Sequence, residues 1–263
     1  MSQKLIKIES IKKLKRPGFY QLITSDEDLT ISDDIIVKFN LYKDLELTDN
    51  EYQNIKKENE KNNYFLKACN YIFYQMRSEW EVEEYLKKYQ LNEEDIIEII
   101  NKLKQLQFID DDILCKLILE SSKNALKGPN YFKAKVKKRK LNVNINNYVY
   151  DADEEESIIK KLIDKNINKI DTLPIKKQKQ YIYSKLLRDG FSNDIINYYI
   201  NTIEYNDNSD ISLDKDYDKL IKKYQKYDDK TKKKKIISSL LQKGYSYTQI
   251  THKISGIDLE DYS

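Results

Sequence analysis

From Arg77 to Asn130 the chain reads RSEWEVEEYLKKYQLNEEDIIEIINKLKQLQFIDDDILCKLILESSKNALKGPN, and these residues decide the fold. Ser78 followed three residues later by Glu81 is a capping box. The hydroxyl satisfies free N–H groups of a first helical turn and the carboxylate reaches back to the cap. Val82, Leu86 and Tyr89 then recur at helical spacing. Leu91-Asn92 breaks this helix, and Asn92 caps a second one. Its Ile96, Ile97, Ile99, Ile100, Leu103 and Leu106 make a wide apolar stripe. After the break at Phe108-Ile109, Asp110, Asp111 and Asp112 put negative charge at the positive end of a third helix. Ile113, Leu114, Leu117 and Ile118 are its expected buried face. Gly128-Pro129 ends it and opens a fourth, because proline in a first turn loses no intrahelical donor.

The joint between two such helices recurs down the chain. Leu86 leads through four residues to Leu91 and then Ile96; Val136 leads to Leu141 and Ile145; Leu187 to Phe191 and Ile195; Leu241 to Tyr245 and Ile250. Positions 86, 136, 187 and 241 lie 50, 51 and 54 apart, a period that signals stacked supersecondary units. Gly190 and Gly244 stand where a helix end needs left-handed backbone, and Ser192 and Ser246 each cap the next helix, Gln249 completing a box. A further helix precedes each joint, beginning near Tyr64, Asp111, Glu155 and Asp214. The expected fold is mainly α: about four tandem three-helix repeats, at 61–110, 111–153, 154–206 and 213–263. One unit is too small to bury its own apolar face, so the units stack into an elongated curved rod. Asn206 to Ser212, polar and without apolar period, reads as a linker that lets the last unit move.

Residues 1–60 differ. Leu5 to Ile11 alternates apolar and polar side chains, Pro17-Gly18 is a turn signal, and Phe19 to Thr24 is a return strand, with Leu29-Thr30-Ile31 a third. Ser32 caps a short helix from Asp33 to Asn40, and Thr48 with Glu51 forms another capping box. A small β-hairpin and short helices are therefore expected ahead of the repeats. From Asn62 onward no strand pattern occurs.

Composition narrows the function. Of 263 residues 40% are hydrophobic, a globular share, while 35% are charged, as expected of a body with much surface. Net charge is only +3, so the distribution of charge matters more than its sum. Cys69 and Cys115 sit in apolar helical patterns and read as small core residues of a reducing compartment. Neither a secretory leader nor an apolar run long enough to span a membrane occurs, so a cytoplasmic location is expected. With five glycines, none in a strand-loop-helix setting, and His252 as sole histidine, phosphate loops, histidine metal sites and Ser-His-Asp chemistry find no residues. His252 is expected on a solvated face. Asp110 to Asp112 read as caps, the Glu79, Glu81, Glu83 and Glu84 cluster as a solvated face, and Trp80 as a packing residue. No enzyme, metal or cofactor is expected.

Three marks carry a family resemblance: Arg77-Ser78-Glu79 leading a helix through Leu86, Phe108-Ile109-Asp110-Asp111 before the next helix but one, and Lys127-Gly128-Pro129 opening the one after. In these the chain resembles RecX, the bacterial modulator of the RecA recombinase. In that family the third mark continues into a basic helix ending in a glycine turn, whereas Arg139-Lys140-Leu141 has no glycine. The strict motifs cover about the middle third of the chain. The resemblance implies a non-enzymatic regulator in DNA repair and the SOS response. Its expected partner is the RecA filament on DNA, in whose groove it lies, bridging RecA subunits and blocking ATPase and strand exchange or promoting disassembly.

The residues themselves offer basic clusters. Lys133, Lys137 and Lys140 are spaced to share one helical face, which suits a polyanion or an acidic groove. Lys12, Lys13, Lys15 and Arg16 cluster near the hairpin tip, and Lys232 and Lys233 open a basic run near the C-terminus. A charge run is more often a solvated face. The rival reading is a free-standing protein making non-specific contact with single- or double-stranded DNA. The helices after the joints carry Ile, Asn and Tyr where Arg, Gln and Lys would meet base edges, which disfavours sequence-specific reading. A monomer is expected.

Overall fold

A computed structural model describes residues 5–260. The chain divides into two compact units, residues 1–114 with 139–143 and residues 115–138 with 144–263. Its fold is mainly α, with twelve α-helices among the described residues and one small sheet.

In the first unit β1 (Leu5–Lys13), β2 (Phe19–Thr24), β3 (Leu29–Ser32) and β4 (Glu46–Thr48) form a sheet in the order β3-β2-β1-β4. Ile6 and Ile8 of β1 are buried and Leu5 and Lys7 exposed, as the alternation requires. Gly18, at φ 76°, turns the chain so that Lys13 pairs with Tyr20. Three residues are too few to show a period, so β4, which pairs Leu47 with Ile6, left no signal. Ser32 caps α1 (Asp33–Lys38) through a bond from Ile35 N.

Helix α2 (Asp49–Tyr74) starts at the Thr48–Glu51 capping box and runs unbroken for 26 residues. A boundary near residue 60 and a helix starting near Tyr64 therefore give way to a single helix. Asn59 and Asn62, which look like a polar break, are buried and donate to Thr30 O (2.8 Å) and Ser32 Oγ (2.7 Å). Tyr52 and Ile55 pack with Ile6, Ile8, Leu22 and Ile31 in the sheet's core. Farther along, Phe65, Ala68 and Ile72 join a second core with α3 (Glu79–Lys87) and α4 (Glu93–Gln105). Of the stripe expected on α4, Ile96, Ile99, Ile100 and Leu103 are buried; Ile97 and Leu106 face solvent.

Then come α5 (Asp111–Asn124) and α6 (Pro129–Lys138). The buried face of α5 is Leu114, Cys115, Ile118 and Leu119, while Ile113 and Leu117 are exposed, so the expected face was rotated. After α6 the second repeat has no third α-helix. Asn144 Oδ1 accepts from Asn146 N (3.2 Å), and this local bond leaves only a 3₁₀ turn at Ile145–Asn147.

In the second unit α7 (Ala152–Ile167), α8 (Ile175–Asp189) and α9 (Asn193–Thr202) share a core that includes Ile159, Ile182, Leu186, Phe191 and Ile196. Helices α10 (Asp210–Lys223), α11 (Asp229–Lys243) and α12 (Tyr247–Glu260) close around Leu213, Leu220, Leu240 and Ile250. Gly190 and Gly244 take φ 95° and 98° as helix ends, the left-handed positions expected of them. The segment from Asn206 to Ser212 is held in place. Gln178 Nε2 donates to Asn206 O (2.7 Å), and Gln249 Nε2 donates to Asp207 Oδ2 (3.1 Å) and Ser209 Oγ (3.0 Å). Those side chains bind it to both neighbouring repeats, against the expected free linker.

Candidate partner-binding surfaces and the joints beneath them

In the first unit two of the sequence marks, Arg77-Ser78-Glu79 and Phe108-Ile109-Asp110-Asp111, meet at one joint. Ser78 Oγ accepts from Glu81 N (3.1 Å) and donates to Arg139 O (2.7 Å). Arg139 Nη2 donates to Glu81 Oε2 (2.6 Å) and to Met76 O (2.6 Å). Burial pushes the Glu81 carboxyl up, but Arg139 and the Ser78 N–H outweigh it and hold the group below the usual carboxylate range. Asp110 Oδ1 caps α5 through Ile113 N (2.8 Å), as expected. Asp111 does something else: it accepts from Glu79 N (3.0 Å) and Asn142 N (2.7 Å), tying α3 to the chain beyond α6. Glu81 and Asp111 are thus structural anchors. Trp80 is half-buried with the Lys140 ammonium 4.1 Å from its ring centroid, consistent with packing.

A second joint lies within the second unit, where Lys127-Gly128-Pro129 meets Asp189-Gly190. Gly128 N donates to Asp189 O (2.8 Å) and Asn130 N to Gly190 O (2.9 Å). Only glycine fits, since a Cβ on Gly128 would stand 2.6 Å from Gly190 O. The Asp189 carboxylate, 1% exposed, takes Lys127 (2.6 Å) and Lys185 (2.5 Å). Burial works to raise its pKa, and these two ammonium groups bring it below the ordinary carboxylate value. Sequence reading missed Arg139 and Asp189 because their partners are distant, Glu81 by 58 residues and Lys127 by 62.

The basic candidates are scattered over the chain. Lys12, Lys13, Lys15 and Arg16 are all exposed. As neighbours in β1, Lys12 and Lys13 point to opposite faces of the sheet, and the Arg16 guanidinium lies 3.9 Å from the Phe19 ring centroid. Lys133 and Lys137 are exposed one turn apart on α6. Lys140 does not continue their stripe: α6 ends at Lys138 and Lys140 has left-handed backbone, φ 49°. The Lys133 charge draws the pKa of Glu155 down against burial, which still leaves that group raised. On α11 Lys232 is half-buried and Lys233 exposed, and Lys235 lies 4.7 Å from the Tyr227 ring centroid. His252 is exposed. Among the described residues no helix is long and apolar enough to cross a membrane.

This architecture has known counterparts. Residues 65–103 match the family described as RecX, first three-helix domain, and residues 213–254 match RecX, third three-helix domain. Regulatory protein RecX of Streptococcus pyogenes serotype M1 is 31% identical over 255 residues, covering 95% of this chain and 98% of that protein. Regulatory protein RecX of Enterococcus faecalis is 28% identical over 260 residues, 96% of this chain and 98% of its own. A solved structure described as regulatory protein RecX shares the fold with a TM-score of 0.60 at 22% identity, over 75% of this chain and all of that one. With joints, repeats and nearly full-length similarity in agreement, the chain belongs to the RecX family of regulatory proteins.

Proposed function

We propose that this chain is a non-enzymatic regulator of homologous recombination that acts as a monomer in the cytoplasm. Its partner is the RecA filament on DNA: it lies in the filament groove, bridges RecA subunits, and inhibits ATPase and strand exchange or promotes disassembly. The observation that carries this reading is the 31% identity over 95% of the chain to proteins named regulatory protein RecX. Two features support it physically. Successive helical repeats, the second of which ends in a 3₁₀ turn in place of a third α-helix, offer a series of charged faces. Exposed lysines such as Lys133 and Lys137 favour association through many modest, salt-screened contacts.

The test is inhibition of the single-stranded-DNA-dependent ATPase of a bacterial RecA. Changing Lys133→Glu and Lys137→Glu together raises the half-inhibiting concentration roughly tenfold if each contact contributes about 0.7 kcal/mol, within the range of exposed pairs. Helical content and melting temperature stay as in the wild type. Undiminished inhibition removes α6 from the interface.

A further inference from the structure

Three joints of one design recur along the chain. At each, the start of one helix rests against the end of another, where a left-handed residue (Lys140, Gly190 or Gly244) is preceded by Arg139, Asp189 or Lys243. The first joint sets Arg139 against Glu81, and the second sets Asp189 against Lys127 and Lys185. In the third, the start of α8 packs on Gly244, whose added Cβ would lie 3.2 Å from Lys177 Cγ. Here Lys177 holds the place of Glu81, three residues past the cap, and Lys243 the place of Arg139. Both positions are cationic.

The third joint also opens into a cleft of about 670 Å³ whose lining includes Lys177, Lys215, Lys219 and Lys243. Asp216, the only acid lining it among the described residues, is taken by Lys243 (2.6 Å) and the Tyr245 hydroxyl (3.0 Å). Lys215 and Lys219 are exposed one turn apart on α10, roughly 5–6 Å between Cβ atoms. At the cleft's edge, α8 starts without a side-chain cap at Pro174, and its first turn holds Lys176 and Lys177 and no acid. Helices α2, α3, α4 and α7 instead have capped starts with acids in the first turn. Like charge at a helix N-terminus is unfavourable, a cost that a bound anion removes. Tyr181, 40% exposed, lines the cleft, and an adjoining hollow with Lys176, Lys234 and the 62% exposed Tyr247 continues it.

We propose that this cleft binds a single strand of nucleic acid, its phosphates on Lys177, Lys215, Lys219 and the α8 start, and its bases against Tyr181 and then Tyr247. Lysines and exposed rings side by side favour a strand with stackable bases over an acidic peptide. Such binding needs no RecA, so it stands or falls separately from the filament reading.

The test is fluorescence anisotropy of a fluorescein-labelled oligothymidylate with the full chain and no RecA, over a salt series. Lys177→Glu, Lys215→Glu and Lys219→Glu combined weaken binding at least tenfold and flatten the slope of log K against log salt by about 2, at 0.7 per phosphate contact. Tyr181→Ala weakens it several-fold with the slope kept. The charge-matched Lys57→Glu, Lys88→Glu, Lys116→Glu variant loses far less affinity, and circular dichroism checks that each variant is folded. The proposal is overturned if wild-type protein does not bind the oligonucleotide, or if the two triple variants lose affinity equally. It is also overturned if a polyglutamate peptide of equal charge competes as well as unlabelled strand, which assigns the cleft to an acidic protein segment.

Discussion

Replacing Gly128 with alanine adds one methyl group where the structure has no room. The new Cβ would lie 2.6 Å from Gly190 O, 2.7 Å from Gly190 C and 2.8 Å from Phe191 N, where carbon contacts want about 3.5–4.0 Å. All three atoms are backbone, so no side chain can swing away. Gly128 is not among the residues at positive φ, so the effect is steric and not one of backbone conformation. Overpacking of this kind costs about 1–3 kcal/mol. Retreat of residues 127–130 lengthens the bonds from Gly128 N to Asp189 O (2.8 Å) and Asn130 N to Gly190 O (2.9 Å), each worth about 1 kcal/mol. Lower unfolded-state entropy returns about 0.4–1 kcal/mol. The net loss is about 2–4 kcal/mol, read as a lower urea midpoint with unchanged slope. Amide exchange at Gly128 and Asn130 should speed up. A loss below about 1 kcal/mol with both amides still protected would refute the close approach at this joint.

Changes at the other buried contacts should be measurable too. Asp189→Asn removes the charge that takes Lys127 and Lys185, at about 1.5–3 kcal/mol near neutral pH, measured by urea unfolding. Because its folded pKa lies below 3.8, the stabilisation from ionised Asp189 is complete above that value and lost as pH falls through the folded pKa; the variant's stability should fall less steeply there. Ser78→Ala deletes a cap and the bond to Arg139 O and should cost about 1–2 kcal/mol by thermal or urea unfolding. Arg139→Lys keeps the charge but loses the forked contact with Glu81 and Met76 O, so it should destabilise more than a surface Arg→Lys change.

Local rules that need only a few neighbouring residues were legible in the sequence. Ser78 with Glu81, Thr48 with Glu51, Asn92 and Ser192 each cap the helix they foretell. Gly190 and Gly244 mark helix ends because few other residues accept that backbone. Where a non-glycine takes the left-handed position, as at Gln90, Gln107, Leu126 and Lys140, the mark disappears; this is how a lysine face came to extend past the end of α6. Buried asparagines in α2 mimic a break because their partners, Thr30 and Ser32, lie some thirty residues away in sequence. The charge pattern of the third joint shows only after structure aligns Lys177 with Glu81 and Lys243 with Arg139.

RecA regulation is most directly tested by titrating this protein into the single-stranded-DNA-dependent ATPase of RecA at two salt concentrations. Inhibition at less than one molecule per RecA, weaker at the higher salt, is the expected result. Unchanged ATPase at a stoichiometric excess, in either salt, would contradict the filament as its partner.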